Sequence, residues 1–461
     1  MQFNGDLAEI RFGAGLSPLL PPPTSAEQML ERLHGPDTMA QRFPVSGFDE
    51  AAASVQEYRR LRRARNQQQN TAGAEDAQKA FIRYRRSLNR LRIGWHSQRL
   101  LRITHSKDAF RERLALFWAD HFTAQGKSGA WRFLAASYAE TAIRQHVAGR
   151  FEDMLIAAVT SPLMLQYLDQ NRSSGPGSRA AARRKRLKGL NENLAREVLE
   201  LHTLGVDGPY RQQDVQQLAE LFTGLSLSKE AGFVFRPGMS EPGSETVLGE
   251  TYGGGKPKLQ QVLAALRDLG RHPATARHIA WKLAVHFISD TPEAALVDHL
   301  ASRYLETGGE LSAVYAALLE HPAAWAPDLN NVKPPFDFVA SACRALAVPS
   351  AHLEAMKPGQ INRLLLAPLT PMGQVWEFSV GPDGWSEEDS AWVTPQALAA
   401  RLRWTMAAPQ RLLAQLPDPR AFAGAALGGY ANGRVHFAAS AAETHTEGVG
   451  LVLSSPAFQR R

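Results

Sequence analysis

The chain has 461 residues, of which 44% are hydrophobic and 21% charged, with a net charge of +7. This composition is ordinary for a globular protein and excludes a chain that is disordered throughout. The single cysteine, Cys343, excludes an internal disulfide and a multi-cysteine metal site, and no apolar run approaches the roughly 18–20 residues of a membrane span.

The first predicted elements are two arginine-rich helices, at 59–65 and 83–92, on either side of a polar turn at 67–73. A second basic cluster follows later in the chain and includes Arg183, Arg184, Lys185 and Arg186. Such clusters attract nucleic acid, anionic lipid or an acidic partner, although a solvated helix face has the same pattern. No aromatic residues alternate with these charges, which disfavours the binding of single-stranded nucleic acid.

Hydrophobic periodicity predicts helices through most of the chain. Apolar residues repeat at helical spacing within 114–121, 215–222, 276–287 and 398–406. Strand-like patterns are confined to 233–235 and 246–248, in or beside a loop rich in proline and glycine. The sequence therefore predicts an all-α fold, a large multi-helix globular unit over residues 1–461 with long loops and at most a small β-hairpin. Residues 330–461 are a candidate C-terminal sub-domain.

A histidine lies in the apolar stripe of the helix predicted at 113–125. His121 shares its helix face with Leu114, Phe117 and Trp118, so it is either a core histidine or part of a lined pocket. Burial would keep such an imidazole neutral and suitable as a base or a metal ligand. Asp120 immediately precedes His121 and is predicted to face elsewhere on the helix.

The segment 188–205 predicts a second helix, which Gly205 ends. Helical projection places one narrow polar face opposite the wider apolar face that contains His202. The polar face consists of Asn193, Arg196, Glu197 and Glu200. These side chains are either paired at helical spacing or form a carboxylate cluster for proton transfer or cation binding. His202 and the carboxylates point to opposite sides, so a shared site is not expected.

A third helix is predicted at 271–288, with Pro273 at its first position and His272 before it. Its polar stripe, Thr275, His278, Lys282 and His286, is predicted to be solvated. Arg277 projects among apolar residues instead, and a buried guanidinium needs a carboxylate partner. We therefore expect Arg277 to pair with Glu197 or Glu200.

Segments spread along the chain resemble a bacterial family, the domain-of-unknown-function 1800 family. The most specific segment starts at Asn191 (NENLAREVLELHTLGVDG). Others are RFGAG (11–15), FWADHF (117–122), MLQYLDQNRS (164–173), TVLGETYGG (246–254), RHPATARHIAWKL (271–283) and KPPFDFVASACRAL (333–346). The chain departs from the family pattern at Ala119 and Asp120, where a histidine and an asparagine are expected. That departure weakens the case for a paired-histidine metal site on this helix.

The resemblance implies an all-helical fold and no defined activity. It also implies a partner, because members are encoded beside the domain-of-unknown-function 1501 family, which is similar to sulfatases and phosphatases. The first functional hypothesis is a binding or structural protein that acts with such a sulfatase-like partner. In that case the polar helix face is a buried network.

Two further hypotheses remain open from the sequence. One is an enzyme, a hydrolase or metal-dependent, with a pocket at His121 or at the Asn193, Glu197 and Glu200 face. His202 would be a second catalytic histidine, and Arg196 or Arg277 would bind an anionic group. The other is binding of nucleic acid or an anionic surface through the arginine clusters. The sequence names no metal and no cofactor.

The N-terminal sequence MQFNGDLAEI lacks the basic and apolar regions of a signal peptide, which predicts a cytoplasmic protein. Because the neighbouring family commonly carries export signals, a second expectation is export as a bound passenger of the partner.

Overall fold

The computed structural model describes residues 3–183 and 189–461. Helices account for 64% of the chain, which confirms the all-α prediction. Of the second basic cluster, Arg183 ends a short helix, Arg179–Arg183. Arg184, Lys185 and Arg186 lie outside the described residues.

The longer helices of the first half include both arginine-rich segments and the His121 segment. They are α1 (Ala26–His34), α2 (Phe48–Gln67), α3 (Ala74–His105), α4 (Ala109–His121), α5 (Phe151–Thr160) and α6 (Gln212–Leu221). Between α5 and α6, an α-helix over Asn193–Glu197 continues as a π-helix over Val198–Thr203. Gly205 follows at φ 89°, the left-handed conformation of a helix stop, as predicted.

The longer helices of the second half begin at proline in four cases, because proline is favoured at the first helical position. They are α7 (Leu259–Arg271), α8 (Pro273–Phe287), α9 (Ala294–Glu306), α10 (Leu311–Glu320), α11 (Pro335–Ala345), α12 (Pro395–Ala407), α13 (Pro419–Leu427), α14 (Gly433–Ala441) and α15 (His445–Ser454). At the start of α8, Nδ1 of His272 accepts a hydrogen bond from the Ala274 amide at 3.1 Å.

Short helical segments fill many of the connections. They are Gly5–Leu7, Ala8–Phe12, Thr38–Arg42, Gly129–Phe133, Ala135–Tyr138, Ala139–Ile143, Arg144–His146, Pro162–Tyr167, Gln170–Arg172, Pro322–Trp325, Ser350–Ala355, Pro358–Ile361, Asn362–Leu366, Ala367–Leu369, Asp389–Trp392, Pro409–Leu412, Gly428–Tyr430 and Pro456–Gln459. None of the described helices is both long and apolar enough to cross a bilayer.

The strands form two small antiparallel sheets, one more than the single hairpin that the sequence predicts. β1 (Leu225–Leu227) pairs with β2 (Phe233–Phe235), and β3 (Gly243–Val247) pairs with β4 (Glu250–Gly255). The stretch at 233–235 is a strand, and Thr246 and Val247 are in β3, but Leu248 begins the turn that follows, at φ 53°. The pairing partners were missed because β1 directly follows the helical pattern of α6, and β4 contains three consecutive glycines.

The apolar residues form two cores, and the second joins distant parts of the chain. It contains residues of α11 to α15 together with Phe43 and, from α3, Ile93, Leu100 and Leu101. The C-terminal third therefore packs on a helix from the first quarter of the chain. A separate C-terminal sub-domain at 330–461 stays a prediction.

The prediction that Arg277 pairs with Glu197 or Glu200 is wrong. Its side chain is 65% exposed and its Nη1 lies 2.6 Å from Oδ1 of Asp298 on α9. The buried face of α8 centres on Ile279 and Leu283, and Arg277 lies beyond its edge, next to the half-exposed Trp281. Arg277 therefore needs no buried partner.

The predicted solvation of the polar stripe on α8 is also wrong for two of its members. Thr275 and His286 are buried, at 0% and 7% exposure. The hydroxyl of Thr275 donates to the Leu269 carbonyl at 2.7 Å, which satisfies it inside the core. His286 lies instead at the wall of a cavity.

Candidate active site

A cavity of about 120 Å³ lies between α4 and the loop segment at residues 374–387. Its walls are largely apolar, with five aromatic residues: Phe117, Tyr138, Phe336, Trp376 and Trp385. Six ionisable residues also line it, namely Arg99, Asp120, His286, Asp337, Glu377 and Glu387. A mainly apolar pocket with a few converging ionisable groups is the usual form of an enzyme site.

The first polar pair in the cavity joins α8 to the loop. Nδ1 of His286 lies 3.0 Å from Oε2 of Glu387. An ionised carboxylate only accepts hydrogen bonds, so Nδ1 carries the proton and Nε2 presents its lone pair. Nε2 has no hydrogen-bond partner among the described residues. Burial lowers the pKa of His286, so the imidazole is neutral near pH 7.

The second group, Asp120, projects from the last turn of α4. Its carboxylate accepts the Trp385 amide, with 3.0 Å to Oδ1 and 3.1 Å to Oδ2. Gly384 allows this approach, because its φ is 82° and a Cβ there would lie 2.8 Å from Oδ2 of Asp120. Desolvation and the nearby Glu387 carboxylate raise the pKa of Asp120 to about 8.

The two carboxyl groups consequently have opposite protonation states at neutral pH. The His286 ring and its hydrogen bond hold the pKa of Glu387 at about 2, although burial opposes this. Asp120 is protonated and Glu387 is ionised at pH 7. Two titratable groups whose pKa values are driven apart in one cavity are typical of a general acid and base.

A third carboxylate, Glu377, lies on the far wall in a strained backbone conformation with φ 63°. Its side chain is 5% exposed, and neither oxygen accepts a hydrogen bond from a described residue. Nη1 of Arg99 is 3.6 Å away and Nη1 of Arg92 is 3.9 Å away. Burial raises the pKa of Glu377 despite these cations. Glu377 therefore lies near two guanidinium groups, while both of its carboxylate oxygens lack a hydrogen-bond donor among the described residues.

His121 and His202 come close together in the structure but do not line the cavity. Their ring centroids are 6.1 Å apart, and Nε2 of His121 lies 3.2 Å from the His202 carbonyl oxygen. Both are packed among aromatic rings, including Phe122, and burial lowers the pKa of each. Their proposed catalytic role stays a prediction, and their packing is that of core histidines.

The polar face at 193–200 is partly solvated and is not a buried network. Asn193 is exposed, and Arg196 pairs with Glu200 at 3.3 Å and with Glu192 at 3.1 Å. The side-chain amide of Asn191 donates to the Leu168 carbonyl at 2.9 Å, which anchors the start of the segment. The pKa of Glu197 is raised to about 7 by burial and by the neighbouring Glu200 and Asp383 carboxylates.

The residues that the structure brings together at the cavity are not those that the sequence predicts. Asp120 was set aside because it does not face the same way as His121, and that difference in direction is what points it into the cavity. Glu387 lies in a loop without periodicity, so no sequence signal marked it. Among the described residues, no group of three or more histidine, cysteine, aspartate or glutamate side chains is arranged to hold a metal ion.

The stability of the Asp120→Asn variant relative to the wild type should increase as the pH rises from 4 to 8. The folded protein holds a proton on Asp120 up to about pH 8, whereas the unfolded chain releases it near the ordinary pKa of 3.8. Folding therefore takes up a proton across this range, and the wild type loses up to about 1.4 kcal/mol of stability per pH unit there. Asparagine carries no such proton.

Urea unfolding at pH 5 and pH 7 measures this effect. The stability difference between Asp120→Asn and the wild type should be about 3 kcal/mol larger at pH 7 than at pH 5. The exposed Asp207→Asn variant is the matched control and should show no such increase. An identical pH dependence of Asp120→Asn and wild type would show that Asp120 is ionised as in water.

Comparison with known proteins identifies the family but no activity. A family model described as "Protein of unknown function (DUF1800)" matches residues 14–460. The chain therefore belongs to this family, as the sequence resemblance predicted. No curated protein and no solved structure matches the chain.

Proposed function

We propose that this member of the DUF1800 family is a hydrolase that works by general acid–base catalysis in the cavity beside α4. The observation that carries the proposal is the His286–Glu387 pair, which leaves one imidazole nitrogen without a partner among the described residues, on a side chain that lines an aromatic cavity. This arrangement supports the enzyme hypothesis, but with residues other than those that the sequence suggested.

His286 is the general base in this proposal. Glu387 fixes the tautomer by accepting a hydrogen bond from Nδ1–H, so Nε2 is the nitrogen that takes a proton from water in this proposal. The lowered pKa of His286 keeps it unprotonated near neutral pH. Glu387 acts as a positioning residue, because it touches the imidazole and stabilises the imidazolium that forms.

Asp120 is the general acid. Its raised pKa keeps the carboxyl protonated at neutral pH, so it can donate a proton to the leaving oxygen of the substrate. The overall step balances with water as the only co-reactant. Water gives one proton to His286 and its oxygen to the substrate, and Asp120 gives one proton to the leaving group. Proton transfer from His286 to Asp120 through solvent then restores both groups.

Direct attack by water is favoured over a serine nucleophile. Two serines line the cavity, but Oγ of Ser379 donates to the Gly381 carbonyl at 2.8 Å and Oγ of Ser386 accepts the Glu388 amide at 3.1 Å. Neither bonds to His286, whose Nε2 has no partner in the described part of the chain. A serine nucleophile needs that hydrogen bond for activation.

A panel of chromogenic carboxylate esters, phosphate esters, sulfate esters and glycosides tests the proposal with purified full-length protein. We expect turnover of at least one class, and loss of that turnover in His286→Gln. Failure of every class, or equal turnover by His286→Gln and wild type, would contradict it. The association with a sulfatase-like partner stays a prediction, and catalysis in the cavity does not require it.

A further inference from the structure

A broad basic groove of about 1230 Å³ runs along α3 next to the segment at 127–133. Eight cationic side chains line it, among them Arg83, Arg85, Arg86, Arg90, Arg92 and Arg132, and none of its lining residues is acidic. The groove includes the arginine-rich segment at 83–92, for which the proposed hydrolase site gives no role.

Most of these arginines are free to bind a ligand. Arg83, Arg85, Arg86 and Arg90 are exposed and form no ion pair with any described residue. Arg83, Arg86 and Arg90 are three and four residues apart, so they stand on one stripe of α3 and repel one another. A ligand with repeated negative charges would neutralise all three arginines and relieve that repulsion, whereas a single small anion would neutralise only part of the charge.

The groove meets the cavity at one short segment. Glu377 and Ser379 line the cavity, and Phe378 between them lines the groove. Arg92 spans the boundary, with Nη1 3.9 Å from Glu377 and the guanidinium 5.8 Å from the centroid of the Phe378 ring. The groove and the cavity therefore adjoin along this segment, on its two sides.

One of the aromatic rings that line the groove, Phe378, is covered by arginine, which disfavours base stacking on that ring. The guanidinium groups of Arg132 and Arg92 lie 5.6 Å and 5.8 Å from its centroid. Binding of single-stranded nucleic acid relies on open rings for base stacking. Arginine forks pair bidentately with carboxylates and with tetrahedral oxyanions such as phosphate and sulfate.

We propose that the groove binds an acidic polysaccharide, carboxylated or sulfated, and that this chain is the substrate class of the adjoining cavity. The second part rests on the proposed hydrolase function, whereas binding in the groove does not. The half-buried Trp385 of the cavity wall is the aromatic ring that would contact a sugar, while the groove holds the charged groups that follow along the polysaccharide.

The test measures binding of the full-length protein to polygalacturonate, heparin and neutral dextran by biolayer interferometry. The groove variant is Arg83→Gln/Arg86→Gln/Arg90→Gln. A variant with the same change of charge outside the groove, Arg403→Gln/Arg411→Gln/Arg420→Gln, is the matched control, because these arginines are also exposed. Circular dichroism of each variant verifies folding.

We expect the wild type to bind at least one acidic polysaccharide but not dextran, with affinity that falls steeply with salt. The groove variant should bind about tenfold or more weakly, and the control within about twofold of wild type. No binding, equal losses in both variants, or tighter binding to oligothymidylate or polyglutamate would overturn the proposal.

Cleavage separates this proposal from the hydrolase proposal. If both hold, the wild type depolymerises the bound polysaccharide, and Asp120→Asn binds it without cleaving it. Binding in the groove with no hydrolysis of any polymer or small substrate would refute the hydrolase function and the substrate assignment, but not the binding site. Hydrolysis of small substrates without polysaccharide binding would refute the polysaccharide-binding proposal but not the hydrolase function.

Discussion

Replacing His286 with glutamine is expected to lower turnover in the cavity by about 10²–10⁴-fold, the usual contribution of a general base. Glutamine keeps the size and polarity of the side chain but has no basic nitrogen. In the wild type, the rate should rise through the pKa of His286, which burial lowers below 6.5, and fall near pH 8 as Asp120 loses its proton. Glu387→Gln should also reduce turnover, because the imidazole then loses the carboxylate that fixes its tautomer.

Two kinds of control accompany this prediction. The exposed His352→Gln variant should match wild type in both rate and stability. His121→Gln and His202→Gln alter buried core histidines and should lower stability, while the folded fraction keeps its turnover. If His121→Gln abolished turnover without loss of stability, the catalytic site would be the one suggested by the sequence instead.

Replacing Arg344 with methionine should destabilise the protein by about 3–5 kcal/mol, because it leaves a buried carboxylate unpaired. Arg344 is 1% exposed, and its Nη2 lies 3.0 Å from Oε2 of Glu9, which is 4% exposed. Its Nε donates to the Gly15 carbonyl at 2.8 Å, and Nη1 donates to the Ser106 carbonyl at 2.8 Å. One side chain thus joins α11 to the N-terminal segment and the end of α3.

Chemical denaturation of Arg344→Met measures this loss, with the exposed Arg420→Met as the control, expected within about 0.5 kcal/mol of wild type. Adding Glu9→Gln should recover part of the loss, since the unpaired buried charge is then removed. A loss below about 1 kcal/mol in Arg344→Met would show that the ion pair does not hold these segments together.

Helices were predictable from the sequence because their signals are local. Apolar spacing identified α4, α6, α8 and α12, and Pro273 marked the start of α8. Local spacing alone does not show which face of a helix is buried when small residues lie on more than one of its faces. Arg277 shows this, since alanines near it suggested burial while the packed face lies around Leu283.

The candidate site was not predictable for a different reason. Asp120, His286 and Glu387 come from α4, α8 and a loop, and only the packing of these elements brings them to one cavity. Each residue alone has an ordinary setting in the sequence. Asp120 is near the end of a helix, His286 is in a polar stripe, and Glu387 is in a loop rich in turn residues. The basic groove was partly visible as an arginine pattern, but its contact with the cavity through Phe378 required the fold.

The most direct test of acid–base catalysis in this cavity is the ionisation of Asp120 in the folded protein without substrate. Carbon-13 NMR of labelled aspartate carboxyl groups follows it, and the signal missing from Asp120→Asn assigns the residue. We predict a titration midpoint near pH 8, with the carboxyl protonated at pH 7. A midpoint near the ordinary value of about 4 would leave the cavity without a general acid and would contradict the proposed function.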